Sequence, residues 1–256
     1  MNIGLFGDSY IDLQWHRYPG VVPKPEQHIW AHRLLNELGS PILSSGRGGT
    51  DQYYAIATWL ELIKKTDNID YAIFTFTWHH RITPPGLINQ KVVTAYTEKR
   101  DIELENQSQQ NVQNAIEQYY DHLYNEEKAK FEFELMIKWI LELPVQYPKI
   151  KFIFMPNTEH ARQIANKYFS NGVLLDFSFE ILSLAEGERV GEYPFVPDRC
   201  GHLSDQLHEK VKNMVKDIII NYDNYANKVY SVDYNRFELK KIINNFYKDD
   251  INKEKQ

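Results

Sequence analysis

The feature that most constrains this chain is a rhythm. Short, wholly apolar runs alternate with longer segments whose apolar residues recur every three or four positions. Ile3-Gly-Leu-Phe6 reads as a buried strand ending at Gly7. His28 to Leu38 puts Ile29, Leu34, Leu35 and Leu38 on one helical face, with Gly39 to close it. Pro41-Ile-Leu43 predicts a second short strand, Thr50 to Lys65 a helix capped by Thr50 or Asp51, and Tyr71 to Thr77 a third strand. Phe131 to Leu143 predicts a helix stopped by Pro144, and Lys151 to Met155 a fourth strand stopped by Pro156. Val173 to Phe177 fits a fifth strand. Ser204 to Ile220 predicts a long helix with Leu207, Val211, Val215, Ile218 and Ile219 on one stripe. Strands separated by helices imply an α/β fold, a parallel sheet covered on both faces. In such sheets ligands bind beyond the carboxyl ends of the strands.

Thr83 to Lys128 breaks the rhythm, being polar and rich in Gln, Asn and Glu, although Val112 to Tyr124 fits a helix. It reads as an insertion at the same rim, a lid or a partner-binding arm, with a disordered surface loop as the alternative. The 256 residues suit one domain over 1–223 with an insertion at about 83–128, followed by a partly helical extension, 224–256, with a charged tail. A net charge of −6 argues against binding driven by nucleic-acid phosphates, and Lys240 to Lys255 mixes Lys with Asp and Glu. Cys200 is the single cysteine, which excludes an intrachain disulfide and a multi-cysteine metal site and fits a reducing compartment. A strand begins almost at once, so no signal peptide is expected. No apolar run approaches the roughly 20 residues of a spanning helix. The expected setting is the cytoplasm or a virion, with no membrane partner.

The unusual residues follow strand ends. Gly7-Asp8-Ser9-Tyr10 follows the first strand, where a serine would stand at the mouth of a site with its N–H available to an oxyanion; a capped turn is the plainer alternative. Ser44-Ser45-Gly46-Arg47-Gly48-Gly49-Thr50 opens a helix, and such glycines expose N–H groups to an anion or form a simple turn. Trp78-His79-His80-Arg81 follows the third strand. Asp198-Arg-Cys-Gly-His202-Leu-Ser204 precedes the last long helix. A serine nucleophile needs an adjacent base, and that base needs a carboxylate to orient it.

Taken together, these segments resemble the GDSL/SGNH hydrolase superfamily, from Ile3 to about Ile220 with 83–128 outside the match. The resemblance implies a three-layer α/β/α, flavodoxin-like sandwich and an esterase, lipase or deacetylase activity without a cofactor. By position, Ser9 would be the nucleophile and first oxyanion donor, Gly49 the second donor, and His202 the base. The Asp51-Gln52-Tyr53-Tyr54 spacing after the glycines further resembles SGNH-like proteins of bacteriophages.

Two departures stand out. The family's Gly-x-Asn-Asp block reads Thr77-Trp78-His79-His80 here, so His79 stands where the donor Asn belongs. An imidazole N–H can donate, but its reach is longer and its state depends on pH. The family's Asp-x-x-His acid position holds Arg199, and Asp198 is one residue early. Either the loop bulges to bring in Asp198 or the site is a Ser–His dyad.

Trp78, His80, Arg81 and Tyr53 are expected to line the substrate. Arg81 would meet an anionic group or pair with Asp8. His79 and His80, with His16 or His202, could be asked to hold zinc, but neither stands in a His-x-x-x-His or Glu-bearing motif, so no metal is expected there. The leading expectation is an ester hydrolase acting on an acylated carbohydrate or small acyl ester. The alternative is a catalytically weak glycan-binding or virion-associated module. A homo-oligomer or a virion assembly is left open as the partner.

Overall fold

A computed structural model of the chain describes residues 1–13, 29–48, 50–79, 114–115, 118–119, 121–179 and 205–231, with the backbone alone at Ser9, Asp205 and Gln206. Its centre is a sheet of five strands: β1 (Ile3–Phe6), β2 (Tyr71–Phe76), β3 (Lys151–Pro156), β4 (Val173–Asp176) and β5 (Lys228–Ser231). They lie in that spatial order and every pairing is parallel. β1 and β2 are buried at every position, as strands covered on both faces must be.

Among the described residues five longer helices cover the sheet: α1 (Trp30–Leu38), α2 (Gln52–Lys65), α3 (Glu126–Leu141), α4 (Glu159–Tyr168) and α5 (Asp205–Ile220). Successive strand residues point to opposite faces, and this divides the core in two. Ile3, Leu5, Ile73, Ile153, Met155, Val173 and Leu175 pack against α1 and α5. Phe6, Ala72, Phe74, Phe76, Phe152, Phe154 and Leu174 pack against α2, α3 and α4. The second layer is the aromatic one. Phe6 stacks on Phe74 at 4.7 Å between ring centroids, and Trp59 meets Phe6 edge-on at 5.3 Å.

The strand expected at Pro41 to Leu43 is reduced to a single parallel bridge between Ile42 and Ile3. Pro41 has no N–H to give a ladder. Serine hydroxyls take over along the edge of β1: Ile3 N–H donates to Ser40 Oγ at 3.2 Å, and Ser44 Oγ accepts from Leu5 N–H at 2.8 Å and bonds Leu5 O at 2.9 Å. After β1 the chain therefore goes to one side, at Ile42, and then crosses to β2 on the other. The carboxyl ends of β1 and β2 flank the point where the winding direction reverses.

Other boundaries differ from expectation. α2 starts at Gln52 and is capped by Asp51, whose Oδ1 accepts from Tyr54 N–H at 3.0 Å. α3 begins at Glu126, not Phe131, because the Asn125 side chain caps it and Glu126 and Glu127 suit its positive end. Its first turn thus takes the last residues assigned to the insertion. Pro144 does not end that segment outright; it lies early in a short helical turn, Leu143–Gln146, where a missing N–H costs nothing. α4 and β5 have no counterpart in the sequence reading. β5 carries the sheet to Ser231, past the boundary expected at 223. Among the described residues no helix is long and apolar enough to cross a membrane.

Candidate functional site

The first turn after β1 is built around two glycines. A Cβ at Gly7 would stand 1.9 Å from Thr75 Oγ1, a buried β-branched side chain on the neighbouring strand. A Cβ at Gly46 would stand 2.5 Å from the Asp8 carbonyl oxygen and 2.6 Å from Ile11 Cγ1. The close approach lets main chain bond main chain. Arg47 N–H donates to Gly7 O at 3.0 Å, and Gly46 N–H to Ile11 O at 3.1 Å. Asp12 Oδ2 accepts from Gly48 N–H at 2.7 Å, and Ser45 Oγ from Leu13 N–H at 2.9 Å. The Ser9 turn (a 3₁₀ turn over Ser9–Ile11) and the glycine-rich segment are therefore joined into one patch.

Behind the patch lies a buried polar network. Asp8 is wholly buried, and its carboxylate bridges three strand ends. Oδ2 accepts from Thr77 Oγ1 at 3.0 Å, just past β2. Oδ1 accepts from Asn157 Nδ2 at 2.7 Å, just past β3, and from Tyr10 N–H at 3.3 Å. Thr77 N–H donates to Gln52 Oε1 at 3.2 Å, in the first turn of α2. Thr50 Oγ1 donates to Arg47 O at 2.7 Å and lies 3.4 Å from Gly7 O. Gln52 Nε2, Asn157 Oδ1 and Thr75 Oγ1 are buried and make no hydrogen bond among the described residues. Each such orphan costs about 1–3 kcal/mol, so their concentration at one rim is informative.

The far side of the rim belongs to His79. Its Nε2 lies 2.6 Å from Glu126 Oε1, on the first turn of α3. Lys130 Nζ lies 3.3 Å from the same Oε1, and Glu126 Oε2 accepts from Tyr124 Oη at 2.5 Å. The Tyr124 hydroxyl, then His79 and Lys130, outweigh partial burial and hold the Glu126 carboxyl down to about 2. The His79 ring sits edge-on to His160 at 5.1 Å, and His160 stacks on Phe133 at 6.0 Å. Burial first, then the charges of His79 and Lys130, push His160 below the usual histidine range.

Of the residues singled out from the sequence, Ser9 lies in the turn just described and Tyr53 is exposed on the first turn of α2. Trp78 and His79 are half-buried beyond β2. Gly49, His80, Arg81, Asp198 and His202 lie outside the described residues. α5 opens three residues after His202, and its first turn borders the same rim. There Trp30 N–H donates to His208 Nδ1 at 3.2 Å, and Phe179 stacks on Tyr10 at 4.5 Å. Asp8, Thr77, Asn157, Gln52 and Glu126 went unassigned as site residues. Three of them share a readable signal, being the first or second residue after a buried parallel strand.

Among the described residues, no group of three or more His, Cys, Asp or Glu side chains is placed to hold a metal ion. No protein-family model matches the chain, and no curated protein matches it either. The arrangement supplies a serine on a tight turn, a glycine-rich segment whose described amides tie it to that turn, and a buried carboxylate holding the turn in place.

Proposed function

We propose that this chain is a serine ester hydrolase of the GDSL/SGNH type, acting on an acylated carbohydrate or a similar small acyl ester. The observation that carries the reading is the joining of the Ser9 turn to the Gly46–Thr50 segment where the winding of the sheet reverses. The nucleophile and the glycine segment that would supply a backbone donor come from these two segments; the N–H groups of Gly46, Arg47 and Gly48 are spent in joining them and that of Thr50 on Arg47 O, so the reading gives that donor to Gly49. The strand order, with Ile42 counted at the edge, agrees with a flavodoxin-like three-layer sandwich, which binds ligands at this reversal.

In this reading Ser9 Oγ attacks the ester carbonyl while His202 takes its proton, oriented by Asp198 or by a backbone carbonyl. The N–H groups of Ser9 and Gly49 face the oxyanion, with His79 as the family-position side-chain donor. His202 then returns the proton to the departing alcohol and activates the water that frees the acyl group. Trp78, Tyr53, His80 and Arg81 border the substrate, and no cofactor takes part. Ser9 should react with a fluorophosphonate probe, and Ser9→Ala should abolish both labelling and p-nitrophenyl acetate hydrolysis. Folded wild-type protein that leaves the probe untouched would sink the reading.

One observation favours a second reading. His79 Nε2 is already committed to Glu126, which weakens it as an oxyanion donor. The fold would then serve as a binding module, glycan-binding or virion-associated, with little turnover. The same probe separates the two.

A further inference from the structure

α3 is apolar on two faces. Phe133, Ile137, Ile140 and Leu141 are buried toward the sheet. On the opposite face Phe131 is 61% exposed and Leu135, one turn on, is 48% exposed, with the half-buried Trp139 a turn beyond. α2 and α4 pack along the two sides of α3, so this second stripe faces outward from the layer. A second apolar stripe on a helix is a surface for something to cover. The charges around it are unevenly spent. Glu134 is bonded to Lys167 at 2.8 Å and to Tyr168, and Lys138 Nζ lies 5.6 Å from the Tyr168 ring centroid, both toward α4. Lys128, in the first turn, meets Glu132 at 3.6 Å, and Glu142, which closes the helix, has no side-chain partner among the described residues. Both are exposed.

We propose that this outer face of α3 seats a second copy of the chain, the two helices running antiparallel about a two-fold axis at Leu135. Such an interface must be complementary to itself: whatever stands a given distance before the axis meets whatever stands the same distance after it. The stripe meets that condition. Leu135 faces Leu135 of the second copy. Phe131, four residues before, comes beside Trp139 of the second copy, four residues after. Lys128, seven before, opposes Glu142 of the second copy, seven after, and the pair recurs at the other end. Residues spaced by four and seven share a helix face, so all five lie on one stripe. Parallel helices would instead set Lys128 on Lys128 and Glu142 on Glu142. A partner of different sequence would call for no such symmetry. The apolar centre supplies most of the attraction, and the exposed ion pairs fix direction and register. A seam one helix pair wide is at the small end of specific interfaces, so the expected Kd is about 1–100 µM. The hydrolase reading is not needed for any of this.

Sedimentation equilibrium of the full chain over rising concentration should show a monomer–dimer equilibrium in that range. Leu135→Glu sets two carboxylates together on the axis and should weaken the dimer by at least about 100-fold. Lys128→Glu and Glu142→Lys each oppose like charges twice per dimer and should each weaken it by about tenfold. The double variant restores opposite charges at both ends and should recover near wild-type affinity. All three positions are exposed, and far-UV circular dichroism checks that each variant folds. A full chain that is still monomeric at about 1 mM, or a dimer indifferent to Leu135→Glu, overturns the proposal. Single charge variants without effect, or a loss that the double variant does not recover, overturn the antiparallel pairing and the proposal with it.

Discussion

Gly46 has no room for a side chain: the Asp8 and Gly7 carbonyl oxygens and Ile11 Cγ1, near the root of a buried side chain, all lie within 3 Å of its would-be Cβ. Gly46→Ala must therefore push the glycine-rich segment off the Ser9 turn. We expect a loss of about 1–3 kcal/mol, read as a lower Tm, together with a fall in Ser9 labelling. Gly39→Ala is the control. Gly39 has φ of 60° at the end of α1 with nothing near its would-be Cβ, so strain should lower Tm and leave labelling unchanged. Equal losses of labelling in both variants would show that Gly46 acts through global stability alone. At this scale the sequence was only half legible. Gly7, Ser9 and the glycine run could be picked out because glycine and serine after a strand have few explanations. Asp8 reads from sequence as a turn cap. Its bridging of β1, β2 and β3 depends on Thr77 and Asn157 arriving from 69 and 149 residues away. No local pattern encodes such a meeting.

The first turn of α3 shows what an element can hide. Asn125 and two glutamates announce a helix start, yet the long polar stretch before them masks the signal. Glu126 ionises well below its ordinary 4.5, at about 2, so between those values the unfolded chain binds its proton more readily than the folded one. Its contribution is complete at neutral pH and is lost as pH falls from about 4.5 to about 2. Wild type should exceed Glu126→Gln in stability at pH 7 by no more than about 1 kcal/mol, because the carboxylate is 46% exposed and well screened. Denaturant titrations across the acid range should show the gap closing. A gap that stays constant would remove Glu126 as the source. α4 escaped notice for a different reason. Its buried stripe is only Ala161, Ile164 and Ala165, too thin and small to announce a helix, although Thr158 caps it as a start signal should. β5 is mostly exposed and lacks the apolar run by which the other strands are recognised.

At the scale of the whole molecule, the rhythm of apolar strands and amphipathic helices did determine the architecture: a parallel sheet covered on both sides. Spatial order was not written in that rhythm, since period and length say nothing about which strand lies beside which. The two-sided winding has an energetic signature. Leu35, on α1, and Ile137, on α3, belong to separate buried clusters with the sheet between them. Each change to Ala should cost about 2–5 kcal/mol. The double variant should cost their sum to within about 0.5 kcal/mol in urea unfolding. A larger discrepancy would mean that the sheet passes strain from one face to the other.

The same partition bears on engineering. Phe6, Phe74, Phe152 and Trp59 form an aromatic block on one side only, while the Tyr10–Phe179–Trp30 stack beneath the serine turn belongs to the other. Thermal tolerance could be raised by repacking the first block as a self-contained unit, leaving untouched the side chains on which the turn rests.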